Sequence, residues 1–110
     1  MKLVNLTPHA VNIIADDGTV TTIPASGTIA RVSVTETPSK LGELAGVPVT
    51  RVIYGAPSGL PPYDEEADCL FIVSQIVAAA VKDRPDLVFP GGLVRDEAGN
   101  IIGCRHLSIF

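Results

Sequence analysis

The sequence predicts a single α+β domain, a mostly antiparallel β-sheet of about five to seven strands with one principal helix, from about Ser74 to Asp83, against one face. Three observations predict it. Runs of strand length recur along the chain, separated by Gly, Pro and Asp turn signals. The stretch SQIVAAAVKD combines helical spacing of apolar residues with three alanines. Finally, 110 residues, 46% hydrophobic and 18% charged, suffice for one core without metals or disulfides.

The elements follow in order. LVNLT reads as a short strand ended at Thr7-Pro8, because proline removes a ladder donor. AVNIIADDGTVTTIPA places two β-rich runs around Asp16-Asp17-Gly18, a hairpin signal. TIARVSVTET alternates: Ala30, Val32 and Val34 share one face, with Ile29, Arg31, Ser33 and Thr35 on the other, so Arg31 projects from mid-strand. TPSKLGELAG, interrupted by Gly42 and Gly46, reads as a short turn of helix or an irregular loop. GVPVTRVIYG supplies a strand, with Pro48 marking an edge or a strand start and Arg51 in its middle. APSGLPPYDEEAD is a Pro-rich acidic loop.

LFIVS, QIVAAAVKD and DLVFPGG then form a candidate β-α-β unit, although the helix is short for a crossover between parallel strands. Ile76, Val77, Ala80 and Val81 supply its apolar face, and Ser74 is its N-cap. Pro90-Gly91-Gly92 reads as a turn after a strand, or as backbone that lines a ligand's approach. LVRDEAGNIIGCRHLSIF is a hairpin turning at Glu97-Ala98-Gly99-Asn100, followed by a strand to the C-terminus.

Composition excludes several functions. A net charge of −4 offers no general attraction for nucleic-acid phosphate and is too small for a DNA mimic. No apolar run approaches the length of a membrane span, and Asn5 and His9 interrupt the region where a signal peptide needs apolar residues, so a cytoplasmic protein is expected. Cys69 and Cys104 read as small buried hydrophobes, with a disulfide or redox pair as the alternative. These cysteines with His9 and His106 do not make a zinc pattern. Asp64, Glu65, Glu66 and Asp68 lack the order of a calcium loop and read as a solvated run, so neither metal nor cofactor is expected.

NLTPHAVNI, LFIVSQIVAAA, RPDLVFPG and LVRDEAGNIIGC, spread over most of the chain, together resemble a group of short proteins encoded by tailed bacteriophages and prophages. That resemblance implies a phage accessory role, in countering host defence or redirecting host metabolism. It carries no site residue.

Site candidates therefore come from residue chemistry. Ser74 and Gln75 open a helix directly after a strand, where free amides suit a phosphate or carboxylate; the ordinary role of such a serine is its cap alone. Thr7 and His9 place a hydroxyl and an imidazole beside a rigid proline; His9 suits a general base, and Thr7 equally suits a local turn bond. Arg31 and Arg51 suit bidentate contacts to an anion, whereas Arg84 and Arg95, in RPD and VRD, suit ion pairs holding loop ends. A cluster of Arg31 with Ser74 would make an anion site.

These readings lead first to a phage accessory binding protein that sequesters a small anionic, nucleotide-derived ligand. A second expectation is an inhibitor docking on a host protein through strand edges or the acidic loop. A third is a small hydrolase or lyase using His9, oriented by Asp68 or Asp86. Open edges at the Pro48 strand or the C-terminal strand also suggest a homo-oligomer.

Overall fold

The structure is a computed structural model that describes residues 2–110. Its strands are β1 (Lys2–Asn5), β2 (Val11–Ile14), β3 (Val20–Ile23), β4 (Val34–Leu44), β5 (Val47–Tyr54), β6 (Cys69–Ile72), β7 (Leu87–Arg95) and β8 (Ile101–Ser108), with one helix, α1 (Gln75–Ala80). The six-stranded sheet runs β1-β6-β7-β8-β2-β3, and β4-β5 form a separate two-stranded ribbon. The architecture is the α+β one predicted. Its long pairings are antiparallel hairpins, while β1, β6 and β7 run parallel to one another and β2 meets β8 in parallel at Ile13 and Cys104.

The sheet curls until its outer strands meet. Asn5, ending β1, bridges Ala25, just beyond β3, and the Ser26 amide donates to the Asn5 carbonyl at 3.0 Å. The Asn5 side chain is buried in this seam and fully used. Its amide donates to the carbonyls of His9 (2.8 Å) and Ile23 (3.1 Å), and its oxygen accepts from the Thr7 amide (2.9 Å) and hydroxyl (2.6 Å). A buried amide so satisfied orders both chain segments it joins.

Strand alternation then divides the core in two. Val11, Ile72, Val88 and Cys104 point to the concave side. Their neighbours Val73, Leu87 and Phe89 point outward, where Leu6, Ala30 and the helix residues Val77 and Ala78 cover them. β6-α1-β7 is the expected β-α-β unit, with Phe71 beside Leu87 and Ile72 beside Val88.

Several local expectations fail for identifiable reasons. The helix ends at Ala80, short of Asp83, and its buried residues are Val77 and Ala78, with Ile76 left 52% exposed, because one and a half turns present too narrow a face. Residues 29–33 are not a strand: Arg31 makes only an isolated bridge to Ser58. TPSKLGELAG is neither helix nor loop. It continues β4 through a bulge between Pro38 and Glu43 to a turn at Ala45-Gly46, where both residues take positive φ (51° and 80°). Pro90-Gly91-Gly92 is not a turn either but the middle of β7, where a β-carbon on Gly91 would collide with Ser108 and His106, and one on Gly92 with Arg105, all on β8. Arg95 does not pair with Asp96; it donates to the Gly99 carbonyl at 2.8 Å and closes the β7–β8 turn.

The ribbon of β4 and β5 stands apart from this body. Val34, Leu41, Leu44, Val47, Val52, Ile53 and Tyr54 all remain exposed on it. A radius of gyration of 16.8 Å reflects the projection, since a compact chain of this length has about 13 Å.

Candidate functional site

Arg31 and Ser74 share a cleft. After β3 the chain crosses back beside β1, held by the Ala30 amide donating to the Leu6 carbonyl at 2.9 Å. Arg31 is then clamped to Ser58 by reciprocal backbone bonds of 2.9 and 2.8 Å. The clamp depends on Gly59: at φ +77° its α-carbon lies so close to the Ile29 carbonyl that a β-carbon would overlap the oxygen. Arg31 thereby faces the strand-to-helix junction at Ser74, and Pro8, Val32, Val34 and Ile76 complete a cleft of about 310 Å³.

Both polar groups in it are available. Arg31 is exposed, and no hydrogen bond or ion pair with another described residue engages its guanidinium. The Ser74 hydroxyl oxygen accepts from the Val77 amide at 3.3 Å, the predicted cap, which leaves its own hydrogen to donate. A six-residue helix has little dipole to contribute, so Arg31 supplies the cleft's attraction for an anion. The walls are apolar. Ile76 was expected in the helix's buried face; its exposed side chain is the wall that sequence spacing did not reveal, because periodicity reports a helix face and not what covers it.

The other candidates lie elsewhere. The Thr7 hydroxyl bonds locally, donating to the Asn5 side chain and approaching the His9 carbonyl at 2.9 Å, so only Pro8 of Thr7-Pro8-His9 borders the Arg31 cleft. His9 lines a second cleft, of about 380 Å³, with Asn12, Leu93, Ile101 and Cys104. Burial there pushes the Cys104 thiol up, which favours its protonated form. Gln75 is exposed at the first helical position and does not line the Arg31 cleft. Arg51 sits on the ribbon opposite Thr37, in a groove with Lys40 and Leu41.

Asp68 and Asp86 border a third cleft, apart from His9, so neither orients its imidazole. Asp86 instead holds Arg84 in a bidentate pair of 2.8 and 2.7 Å, as RPD suggested. That contact raises the Arg84 guanidinium's pKa, and Tyr63 lies under it at 5.8 Å. Both cysteines are free thiols, and no group of three or more His, Cys, Asp or Glu among the described residues could hold a metal ion. No helix among those residues is long and apolar enough to cross a membrane.

No protein-family model matches the chain, and the searches of curated proteins and of solved structures found no match.

Proposed function

We propose that this chain is a phage accessory binding protein that captures a small anionic ligand of the nucleotide-derived signal class in the Arg31–Ser74 cleft. The observation that carries the reading is the meeting of an unengaged guanidinium and a helix-capping hydroxyl in one apolar-walled cleft. Each part has a chemical counterpart in a nucleotide. The guanidinium fork matches phosphate oxygens, the Ser74 hydroxyl adds a donor beside it, and Val32, Val34 and Ile76 offer surface to a base or sugar. A volume of about 310 Å³ lies at the small end of ligand pockets, which favours one nucleotide unit over a polymer. Capture without turnover suits a site whose only titratable group is an arginine.

Native mass spectrometry and calorimetry against a panel of cyclic and linear nucleotides test this. Retention of one member is expected, with Arg31→Ala weakening it at least tenfold, since a charge-assisted hydrogen bond contributes roughly 1.5–3 kcal/mol. Ser74→Ala should weaken it only a few-fold. Absence of any retained nucleotide, or retention indifferent to Arg31, overturns the proposal.

A second reading, docking on a host protein, is favoured by one observation: the apolar, uncovered ribbon of β4 and β5. Recovery of a stable host-protein complex that survives Arg31→Ala and is lost when the ribbon is altered would support it over ligand capture.

A further inference from the structure

The ribbon's outer edge is built to accept a strand, and its geometry identifies which one. The Gly55 amide donates to the Ser33 carbonyl at 2.8 Å, and the pairs Thr35–Ile53 and Thr37–Arg51 continue that phase. In an antiparallel ladder the N–H and C=O of one residue point to the same side, and the side alternates. Ile53 and Arg51 therefore turn their backbone groups toward β4, while Thr50, Val52 and Tyr54 turn theirs away, to an edge with no neighbour in the sheet order. On β4 the outward set is Val34, Glu36 and Pro38, which ends in a residue without an N–H and then a bulge; Pro48 of β5 also points outward without an N–H, but Thr50, Val52 and Tyr54 beyond it are three outward donors in succession. The competent edge is that of β5.

We infer that β5 pairs antiparallel with β5 of a second copy, joining two ribbons into one four-stranded sheet across a two-fold axis at Val52. The register follows from the same phase. Outward groups must face outward groups, so Val52 meets its own counterpart and Thr50 meets Tyr54 of the other copy. Arg51 then lies opposite the other copy's Ile53. Sliding one pair toward the Ala45-Gly46 turn sets Arg51 against Arg51, a like-charge pair directly across the ladder. Sliding the other way carries Thr50 past the strand's end to Ala56. Only the Val52 register uses all three outward donors and avoids facing charges.

Charge and surface both select a second copy as the occupant. The chain carries −4, but residues 34–54 contain Glu36, Glu43, Lys40 and Arg51, which sum to zero, so two copies can meet at their neutral ribbons with their acidic bodies apart. Pairing also puts Val52 and Tyr54 of one copy alongside Val52 and Thr50 of the other on one face, continuing an apolar stripe that the isolated ribbon leaves exposed. Two strands alone are marginal in water; four are the more durable unit.

Sedimentation equilibrium of the full chain over a dilution series tests this, with a dimer of the 11.5 kDa chain as the expected species. Val52→Pro removes an outward donor while leaving the bonds to β4 in place, and should raise the dissociation constant at least tenfold. As an independent probe, Val52→Cys in a Cys69→Ser background should cross-link to itself on oxidation, since α-carbons of a hydrogen-bonded antiparallel pair lie about 5.5 Å apart, within disulfide range. Glu36→Cys, on the other edge, should not. A monomer mass at every concentration, cross-linking through Glu36→Cys in place of Val52→Cys, or a dimer indifferent to both Val52 changes would overturn the inference.

Discussion

Ile72 and Leu41 are both large aliphatic residues in β-strands, yet Ile72 is fully buried and Leu41 is 67% exposed. The body and the ribbon thus use similar strand chemistry to opposite ends. In the body every strand is paired, one face is closed by sheet curvature, and the other is covered by α1 and residues 29–32. In the ribbon a tight turn and strand propensity make a hairpin that covers neither of its faces. Local propensity is enough to shape a ribbon, but only tertiary coverage turns its side chains into core.

Body and ribbon should differ most in mutational cost at these two residues. Ile72→Ala should cost about 2–5 kcal/mol, because a cavity opens where curved sheet and neighbouring strands cannot collapse to fill it. Leu41→Ala should stay within about 0.5 kcal/mol in dilute protein, as expected for a surface position. Urea unfolding of the two variants measures both. Equal losses would mean that the ribbon is packed against something in solution, and the concentration dependence of the Leu41 loss would identify a second copy.

A smaller effect is expected at the seam. Asn5→Ala removes an amide whose loss leaves the His9 and Ile23 carbonyls without their donor, and because both bonds are only part-buried and His9 is exposed to water, the total cost should be about 1–3 kcal/mol. The damage should be local to the closure of β1 on Ala25. Hydrogen exchange should accelerate at Ser26, whose amide reports the seam directly, while exchange at Thr35 on the ribbon stays as it was.

The elements legible in the sequence were those whose local signal agrees with their surroundings: the Asp-Gly hairpin of β2 and β3, the Ser74 cap, the β6-α1-β7 unit and the Arg84–Asp86 pair. What misled was glycine. Gly42 and Gly46 suggested a broken segment, and Gly91-Gly92 a turn, but the first pair serves a bulged hairpin and the second makes room for His106 within a strand. Space for a neighbour's side chain is a tertiary property with no local signature. The Arg31–Ser74 cleft was legible as two residue types, since an arginine without an acidic neighbour and a capping serine each stand out. Their meeting was not, because it depends on the clamp between Arg31 and Ser58 and on Gly59, far from either signal.

Body and ribbon also turn their hairpins differently. The body's hairpins are capped by carboxylates. Asp17 accepts from the Thr19 amide at 2.9 Å, and Asp96 accepts from the amides of Ala98 and Asn100, each at 2.9 Å. These backbone bonds, that from Thr19 to Asp17 and that from Asn100 to Asp96 foremost, hold both carboxyls below the usual aspartate range. A carboxyl lowered in the folded state stabilises fully above its unfolded pKa and loses that contribution as pH falls through the folded value, so these turns loosen below about pH 4. The ribbon turns without such a cap, and places Ala45 at φ +51°, where a β-carbon is disfavoured. Ala45→Asn supplies the Asn-Gly pair that such a two-residue turn prefers, and should slow exchange at the ribbon's bonded amides by the equivalent of about 1 kcal/mol at neutral pH, the lower end of what a left-handed L-residue costs. The body's melting should not move. If it rises by as much as the ribbon's protection, body and ribbon unfold as one unit, and the independence argued from their unequal coverage fails.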